Sequence, residues 1–265
     1  MSTTPSSSDQ PPVLVAVSHG TRSATGRRTV AQLRLAVAAQ RPDVQVLAAH
    51  VDVQKPALDD VVARLAVAGT AHVVVPLLLS TGYHVRSDVA SAVRAARALG
   101  AGSRAAAALG PDDALVEVLL DRLAAAGGRD DDALVVLAAG SLAARAVADV
   151  EAVLAAVRAR RPPDAGPVTA AYSSAQAPTA PQACADLRAA HPGRRVAVAP
   201  YLLAPGVFSQ RLQALLDDGL ADVVAPTLCD DGDVDPRLAA LALRRYDEAL
   251  AAAAGEAVSP LAAAR

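Results

Sequence analysis

Two histidines and one aspartate carry most of the chemistry available to this 265-residue sequence. His19 stands in Ser18-His19-Gly20, directly after an apolar run. His84 closes Ser80-Thr81-Gly82-Tyr83-His84, after a second such run, and Asp52 opens Asp52-Val53-Gln54-Lys55-Pro56 after a third. A neutral imidazole binds borderline divalent metals and can take a proton near neutral pH. A carboxylate can assist either task, and a site with so few protein ligands leaves metal positions open for exchange. In an open parallel sheet, ligands bind beyond the carboxyl ends of the strands. All three positions therefore belong to one cleft, provided that the runs before them are strands of one sheet.

The patterning says that they are. Strands are expected over residues 13–18, 44–51, 72–79 and 104–109, as short apolar runs closed by polar turns. Helical periodicity lies between them: Val30, Leu33 and Val37 on one face, a helix opened by Pro56 with Leu58, Val61 and Leu65, another over 87–99, and one opened by Pro111 that runs to about Ala126. After the linker 127–132, Gly-Gly-Arg-Asp-Asp-Asp, the order restarts. Strands are expected over 134–138, 168–172, 196–203 and 223–224, with helices to about Arg160, from Pro178, from about Ser209 and from Pro236 to about Ala253. Such alternation predicts an α/β protein of two similar doubly wound parallel-sheet lobes with an active-site cleft between them. The expected division is a disordered tail over 1–12, a site-bearing lobe over 13–127, a second lobe over 133–253 and a frayed tail over 254–265.

The halves repeat in sequence as well as in rhythm. Residues 15–21 match 135–141, 46–56 match 168–178, and 73–82 match 197–206. Backbone punctuation survives in both copies: Gly20 and Gly140, Gln54 and Gln176, Pro56 and Pro178, Pro76 and Pro200, Gly82 and Gly206. The ionisable groups do not: Ala139 replaces His19, Ser174 replaces Asp52 and Phe208 replaces His84. The second copy kept the scaffold and lost the site. Gln54, present in both, has the marks of a structural hydrogen bond. Asp52 can equally cap the turn after its strand. His50, His72 and His191 are read as structural or surface residues, His50 exchanging with Tyr172.

Composition narrows the classes. One Phe, four Tyr and no Trp leave cores of Ala, Val and Leu, and a formal charge of −2 gives no field for nucleic acid or a membrane surface. No apolar run approaches the roughly 20 residues of a membrane helix, and the N-terminal segment has no basic and apolar leader. A cytoplasmic protein is expected. Cys184 and Cys229 form no CxxC pair and fit small buried hydrophobes. The only lysine, Lys55, is followed by Pro56, so there is no phosphate loop of the Gly-Lys-Ser/Thr kind.

Residues 18–23 (SHGTRS), 52–56 (DVQKP) and 75–88 (VPLLLSTGYHVRSD) together resemble the sirohydrochlorin chelatases, the class II chelatases of CbiX and SirB type, in their long duplicated form with a degenerate second half. The resemblance spans roughly residues 13–250. It implies ATP-independent insertion of a divalent metal, Fe2+ or Co2+, into a tetrapyrrole, with no tightly bound cofactor. It also implies that His19 and His84 bind the incoming metal, that His19 takes pyrrole protons, and that Leu78, Leu79, Ser80, Thr81, Gly82 and Tyr83 line the macrocycle. Where the family often has glutamate, this chain has Asp52, one methylene shorter. Sirohydrochlorin carries eight carboxylates; Arg22, Arg27, Arg28 and Arg86 follow the two loops and could form a cationic rim, with Arg22 and Arg86 placed in the substrate-binding set beside Gln54. The second lobe would replace the partner of a single-copy enzyme, so a monomer is expected.

Two other classes fit some of the residues. A histidine phosphatase also places a histidine after a strand, but normally with Arg before His-Gly, where this chain has Ser18. A metal or tetrapyrrole carrier would need the same ligands without turnover. Siroheme synthesis with Fe2+ is the expected role, and cobalamin synthesis with Co2+ is its alternative, because imidazole accepts both metals.

Overall fold

The structure, a computed structural model, describes residues 10–80 and 83–258, without the side chains of residues 83–86, 208, 210 and 253–258. The first half runs β1 (Val13–Ser18), α1 (Ala24–Gln40), β2 (Val46–His50), α2 (Leu58–Val67), β3 (His72–Pro76), α3 (Tyr83–Ala98), β4 (Ser103–Ala105) and α4 (Asp113–Ala125). The second runs β5 (Ala133–Ala138), α5 (Ala144–Arg160), β6 (Val168–Tyr172), α6 (Ala180–Ala190), β7 (Val196–Tyr201), α7 (Val207–Gln210), α8 (Gln213–Asp217), β8 (Val223–Val224), β9 (Cys229–Asp230), β10 (Asp233–Val234) and α9 (Pro236–Val258). Two four-stranded sheets result, in the orders β2-β1-β3-β4 and β6-β5-β7-β8, with every pairing in them parallel. The expected two-lobed α/β architecture is what forms.

Strands buried on both faces explain the apolar runs. All six residues of β1 and all six of β5 are buried. On the outer faces, α2 and α3 pack on Val15, Val17 and Val74, and α6 packs on Val135 and Leu137. Between the sheets lies one continuous core that includes residues of α1, α4, α5 and α9.

That inner layer contains an exchange. Helix α4, which follows β4, packs on β7 and α5 of the second half, while α9 packs on α1, β3 and β4 of the first. Each half thus covers the other's sheet with its last helix. A short antiparallel hairpin, β9–β10, reaches α1 as well. Its Asp231 pairs with Arg28 at 2.7 Å and its Asp233 with Arg122 at 3.1 Å.

Several boundaries differ from expectation for identifiable reasons. Pairing stops at Pro76, Ala105 and Tyr201, so the apolar residues beyond them wall a cavity or continue as loop rather than strand. Helix α3 begins at Tyr83 instead of Ser87, which brings His84 into its first turn. The helix expected from Pro178 starts at Ala180, where Gln182 Oε1 reaches back to accept the Thr179 N–H at 2.9 Å and its hydroxyl at 3.0 Å. The helix expected from Ser209 is two short pieces, α7 and α8. Helix α9 continues past Ala253 to Val258. Most of the expected N-terminal tail, residues 1–9, and residues 259–265 lie outside the described residues. Among the described residues, no helix is long and apolar enough to cross a membrane.

Both cysteines are free and buried, and burial pushes their thiols up, Cys184 to about 11 and Cys229 to about 12. A thiol held protonated in this way is a poor nucleophile.

Candidate active site between the lobes

β1 and β3 are adjacent and parallel, so their carboxyl ends emerge at the same edge of the first sheet. His19 is the first residue after β1 and is exposed. It is held by backbone on both sides. Its carbonyl accepts the Asp52 N–H at 3.0 Å, and Gly20 follows at φ +97°, where a Cβ would overlap the Asp52 carbonyl oxygen. Only glycine fits such a turn without strain. The second half repeats it at Gly140, φ +90°, against the carbonyl of Ser174.

The glutamines repeated in the two halves are part of the same brace. Gln54 Oε1 accepts the Thr21 N–H at 2.7 Å, and Gln176 Oε1 accepts the Ser141 N–H at 3.1 Å. A bond made identically in both lobes is a scaffold bond. Gln54 nevertheless borders a cavity, so its side chain faces the space a ligand would fill.

Two cavities meet at His19. One of about 430 Å³ is walled by Leu77–Ser80 from the first half, and by Ala138–Ser141 and Tyr201–Leu203 from the second. The other, of about 330 Å³, extends from His19 past Gln54 towards Leu203–Val207. The lining is mostly aliphatic, which suits the face of a flat apolar ring. The lobes touch closely here: a Cβ on Gly26 of α1 would overlap the Pro205 carbonyl oxygen.

Of the residues expected to line a ring, Leu78, Leu79 and Ser80 border the larger cavity. Thr81 and Gly82 lie outside the described residues, as do the side chains of Tyr83, His84 and Arg86. The backbone places His84 in the first turn of α3, at the sheet edge that bears His19. Asp52 sits beside His19 through its backbone, but it borders neither cavity; its Oδ1 accepts the Val53 N–H at 2.8 Å, capping the turn. Among the described residues, no group of three His, Cys, Asp or Glu side chains is gathered to hold a metal ion.

The arginines separate into two kinds. Arg28 pairs with Asp231, and Arg27 donates to the carbonyls of Arg22 and Thr21 at 2.9 and 3.4 Å, so both are engaged in structure. Arg22 is exposed and its guanidinium has no partner among the described residues. The remaining histidines are structural, as expected. His50 Nδ1 meets Ser18 Oγ at 2.8 Å under the His19 loop; burial, and then the charge of Arg34, push its pKa down. His72 joins the Thr70 carbonyl at 2.9 Å to Ser103 Oγ at 2.8 Å. His191 ends α6, its N–H donating to Leu187.

Sequence reasoning missed the second lobe's share of the wall, namely Ala139–Ser141 and Tyr201–Leu203. The signal was available: the rule that placed His19 at the end of β1 also places Ala139 at the end of β5, and the two sheets present these edges to one cleft.

Comparison with known proteins gives the same architecture a family. The model of the CbiX family matches residues 13–126 and matches again over residues 133–249. Among solved structures, SirB from Bacillus subtilis with Fe3+ superimposes with a TM-score of 0.76 at 21% identity, covering 92% of this chain and 97% of that one. The sirohydrochlorin chelatase SirB from Bacillus subtilis subspecies spizizenii, in complex with cobalt, gives 0.70 at 20% identity over 89% and 94%. CbiX, the terminal enzyme for biosynthesis of siroheme in denitrifying bacteria, gives 0.63 at 21% identity over 89% and 99%. These likenesses are likenesses of fold. No curated protein matched.

Proposed function

We propose, from the premise that this chain belongs to the CbiX family, that it inserts a divalent metal, Fe2+ in our assignment, into sirohydrochlorin without ATP, as a step of siroheme synthesis. The observation that carries the reading is His19: an exposed imidazole on the rim of an apolar inter-lobe cavity, at a position where the otherwise matching repeat has Ala139. One ring between the lobes would therefore meet a metal ligand on one wall only.

Metallation joins the metal to four ring nitrogens and releases two protons from the pyrroles. The arriving ion must also lose water. A neutral His19 serves both needs, displacing water from the ion and then accepting one of the two protons as the ion leaves it for the ring, while the other passes to solvent water at the rim of the cleft. His84, in the first turn of α3, supplies the second imidazole. The aliphatic walls exclude water and keep the ring flat against Leu78–Ser80. Arg22 meets a peripheral carboxylate. The second lobe provides the opposing wall, so a monomer can suffice. Co2+ would use the same ligands, since imidazole binds both ions.

The test mixes metal-free protein, sirohydrochlorin and Fe2+ or Co2+, and follows the visible spectrum. Acceleration that disappears in His19→Ala and in His84→Ala is the expected result. Ring binding without acceleration would make the protein a carrier, and neither effect would reject the reading. The faster metal under competition identifies the one that the site prefers.

A further inference from the structure

The two halves hold the walls of the cavity in different ways. In the second half, the carbonyls of Leu202 and Leu203 each accept a backbone N–H, from Leu228 at 2.9 Å and from Cys229 at 2.8 Å. In the first half, the Leu78 carbonyl accepts the Gly110 N–H at 3.2 Å. The donor for Leu79 should come next, but the next residue is Pro111, which has no N–H. The missing donor is supplied from the other lobe: the Tyr201 hydroxyl donates to the Leu79 carbonyl at 3.1 Å. Gly110 leaves room for this, since a Cβ there would overlap both the Leu79 carbonyl oxygen and the Tyr201 hydroxyl. Tyr201 is 3% exposed, so the core fixes its ring and its hydroxyl has one place to go. In the repeat its counterpart is Leu77, which has nothing to donate. The bond runs in one direction only, from the lobe without His19 and His84 to the lobe with them.

We infer that Tyr201 is a positioning residue for the reaction. Its hydroxyl replaces the donor that Pro111 lacks and fixes Leu78–Ser80, the wall against which the ring lies and from which the chain leaves for His84. An unmet carbonyl at Leu79 would turn towards water and carry its peptide plane with it, because a partly buried acceptor left without a donor is costly. Displacement of that wall changes how the ring faces the metal ligands, and small misplacements of reacting groups have large effects on rate. This role in the reaction rests on the chelatase reading; the bond itself does not.

The test uses the full chain and Tyr201→Phe, which keeps the ring and removes the hydroxyl. Hydrogen exchange of the Leu77 and Gly110 amides, which donate to the Val17 and Leu78 carbonyls on either side of the clamp, should quicken roughly tenfold or more, while exchange in α6, far from the clamp, stays as in the wild type. In the metallation assay kcat should fall about tenfold with the KM for the ring within about twofold. Unchanged exchange overturns the clamp, and faster exchange with unchanged kcat overturns the role in the reaction. If the wild type metallates no ring at all, the chelatase reading falls with the role built on it, and the exchange measurement still decides whether Tyr201 holds the wall. Should Tyr201→Phe unfold, Gly110→Ala offers a second variant, because its Cβ would drive the Tyr201 hydroxyl from the Leu79 carbonyl: faster exchange of the Leu77 amide there supports the clamp, whereas unchanged exchange with the fold intact opposes it.

Discussion

Tyr246 of α9 donates its hydroxyl proton to the Pro12 carbonyl at 2.6 Å, joining the last helix of the chain to the entrance of its first strand. Tyr246 is also fully buried. The contact belongs to the helix exchange in which α9 covers β3 and β4 while α4 covers β7. The duplication therefore did not produce two independent lobes. It produced two sheets that share one inner layer and one continuous core.

A first prediction follows for fragments. Residues 1–127 alone would carry α4 without its partner sheet and would expose Leu14, Val73, Val75 and the buried face of α4, which includes Leu115 and Leu119. Buried aliphatic side chains of this size are worth about 1.5–3 kcal/mol each, so such a fragment should aggregate or pair with a second copy rather than fold as a monomer. Adding residues 128–265 in trans should restore a one-to-one complex. Size-exclusion chromatography and a thermal melt report both outcomes; a cooperative, monomeric fragment would mean that the exchanged helices are dispensable.

A second prediction separates scaffold from site at the paired glycines. Gly20→Ala and Gly140→Ala each place a Cβ on the carbonyl of the residue opposite, Asp52 or Ser174, at a positive φ. Each should cost about 2 kcal/mol or more in urea unfolding. Only Gly20→Ala moves His19, so at a temperature where both variants are folded it should lose at least tenfold more metallation rate than Gly140→Ala. Equal losses would mean that the His19 loop has no special part in the chemistry.

Much of this arrangement could be read from residues in order. The hexapeptide of β1, buried throughout, gave both ends of the strand, Val13 and Ser18, because an all-buried parallel strand leaves an unmistakable apolar run. The start of α3 was not legible: Thr-Gly-Tyr-His has no apolar periodicity, so the helix signal begins only at Ser87, although the backbone turns at Tyr83. The β9–β10 hairpin escaped because its strands are two residues each, despite the Asp231-Gly232 turn signal. The exchange of α4 and α9 was invisible for a deeper reason: an amphipathic stripe says which face is buried and nothing about which sheet buries it. The same limit hid the donor for Leu79, which depends on an absent N–H at Pro111 and a phenol from the other half. Asp52 was placed in the cleft of His19 by the strand-end rule, with turn capping as the alternative, and coordinates were needed to show the capping bond.

A third prediction concerns pH. Burial, reinforced by the charge of Arg34, lowers the pKa of His50 below the ordinary 6.5. In the window between that lowered value and 6.5, the unfolded chain binds a proton at this position and the folded chain does not, so stability rises with pH there, is complete above 6.5 and is lost as pH falls through the lowered folded value. His50→Gln, which can still meet Ser18 Oγ, should flatten the slope of urea midpoint against pH between 7.5 and 5.5 relative to the wild type. Parallel slopes would show that His50 does not titrate differently on folding.

The last prediction concerns the rim. Arg28 is committed to Asp231 and Arg27 to backbone carbonyls, whereas the Arg22 guanidinium has no partner among the described residues and stands in the His19 loop. If a ring carboxylate is its partner, Arg22→Ala removes one charge-assisted contact, worth about 1 kcal/mol at an exposed site. That corresponds to roughly a fivefold rise in KM for sirohydrochlorin with kcat maintained. The penalty should shrink as salt is raised, because an exposed pair is screened within about 10 Å at 0.1 M. Arg28→Ala should leave KM unchanged and lower stability slightly through its lost tie to the β9–β10 hairpin. Steady-state metallation at two ionic strengths checks the pair. A KM indifferent to Arg22 but sensitive to Arg28 would place the carboxylate-binding edge on the hairpin side of α1 instead.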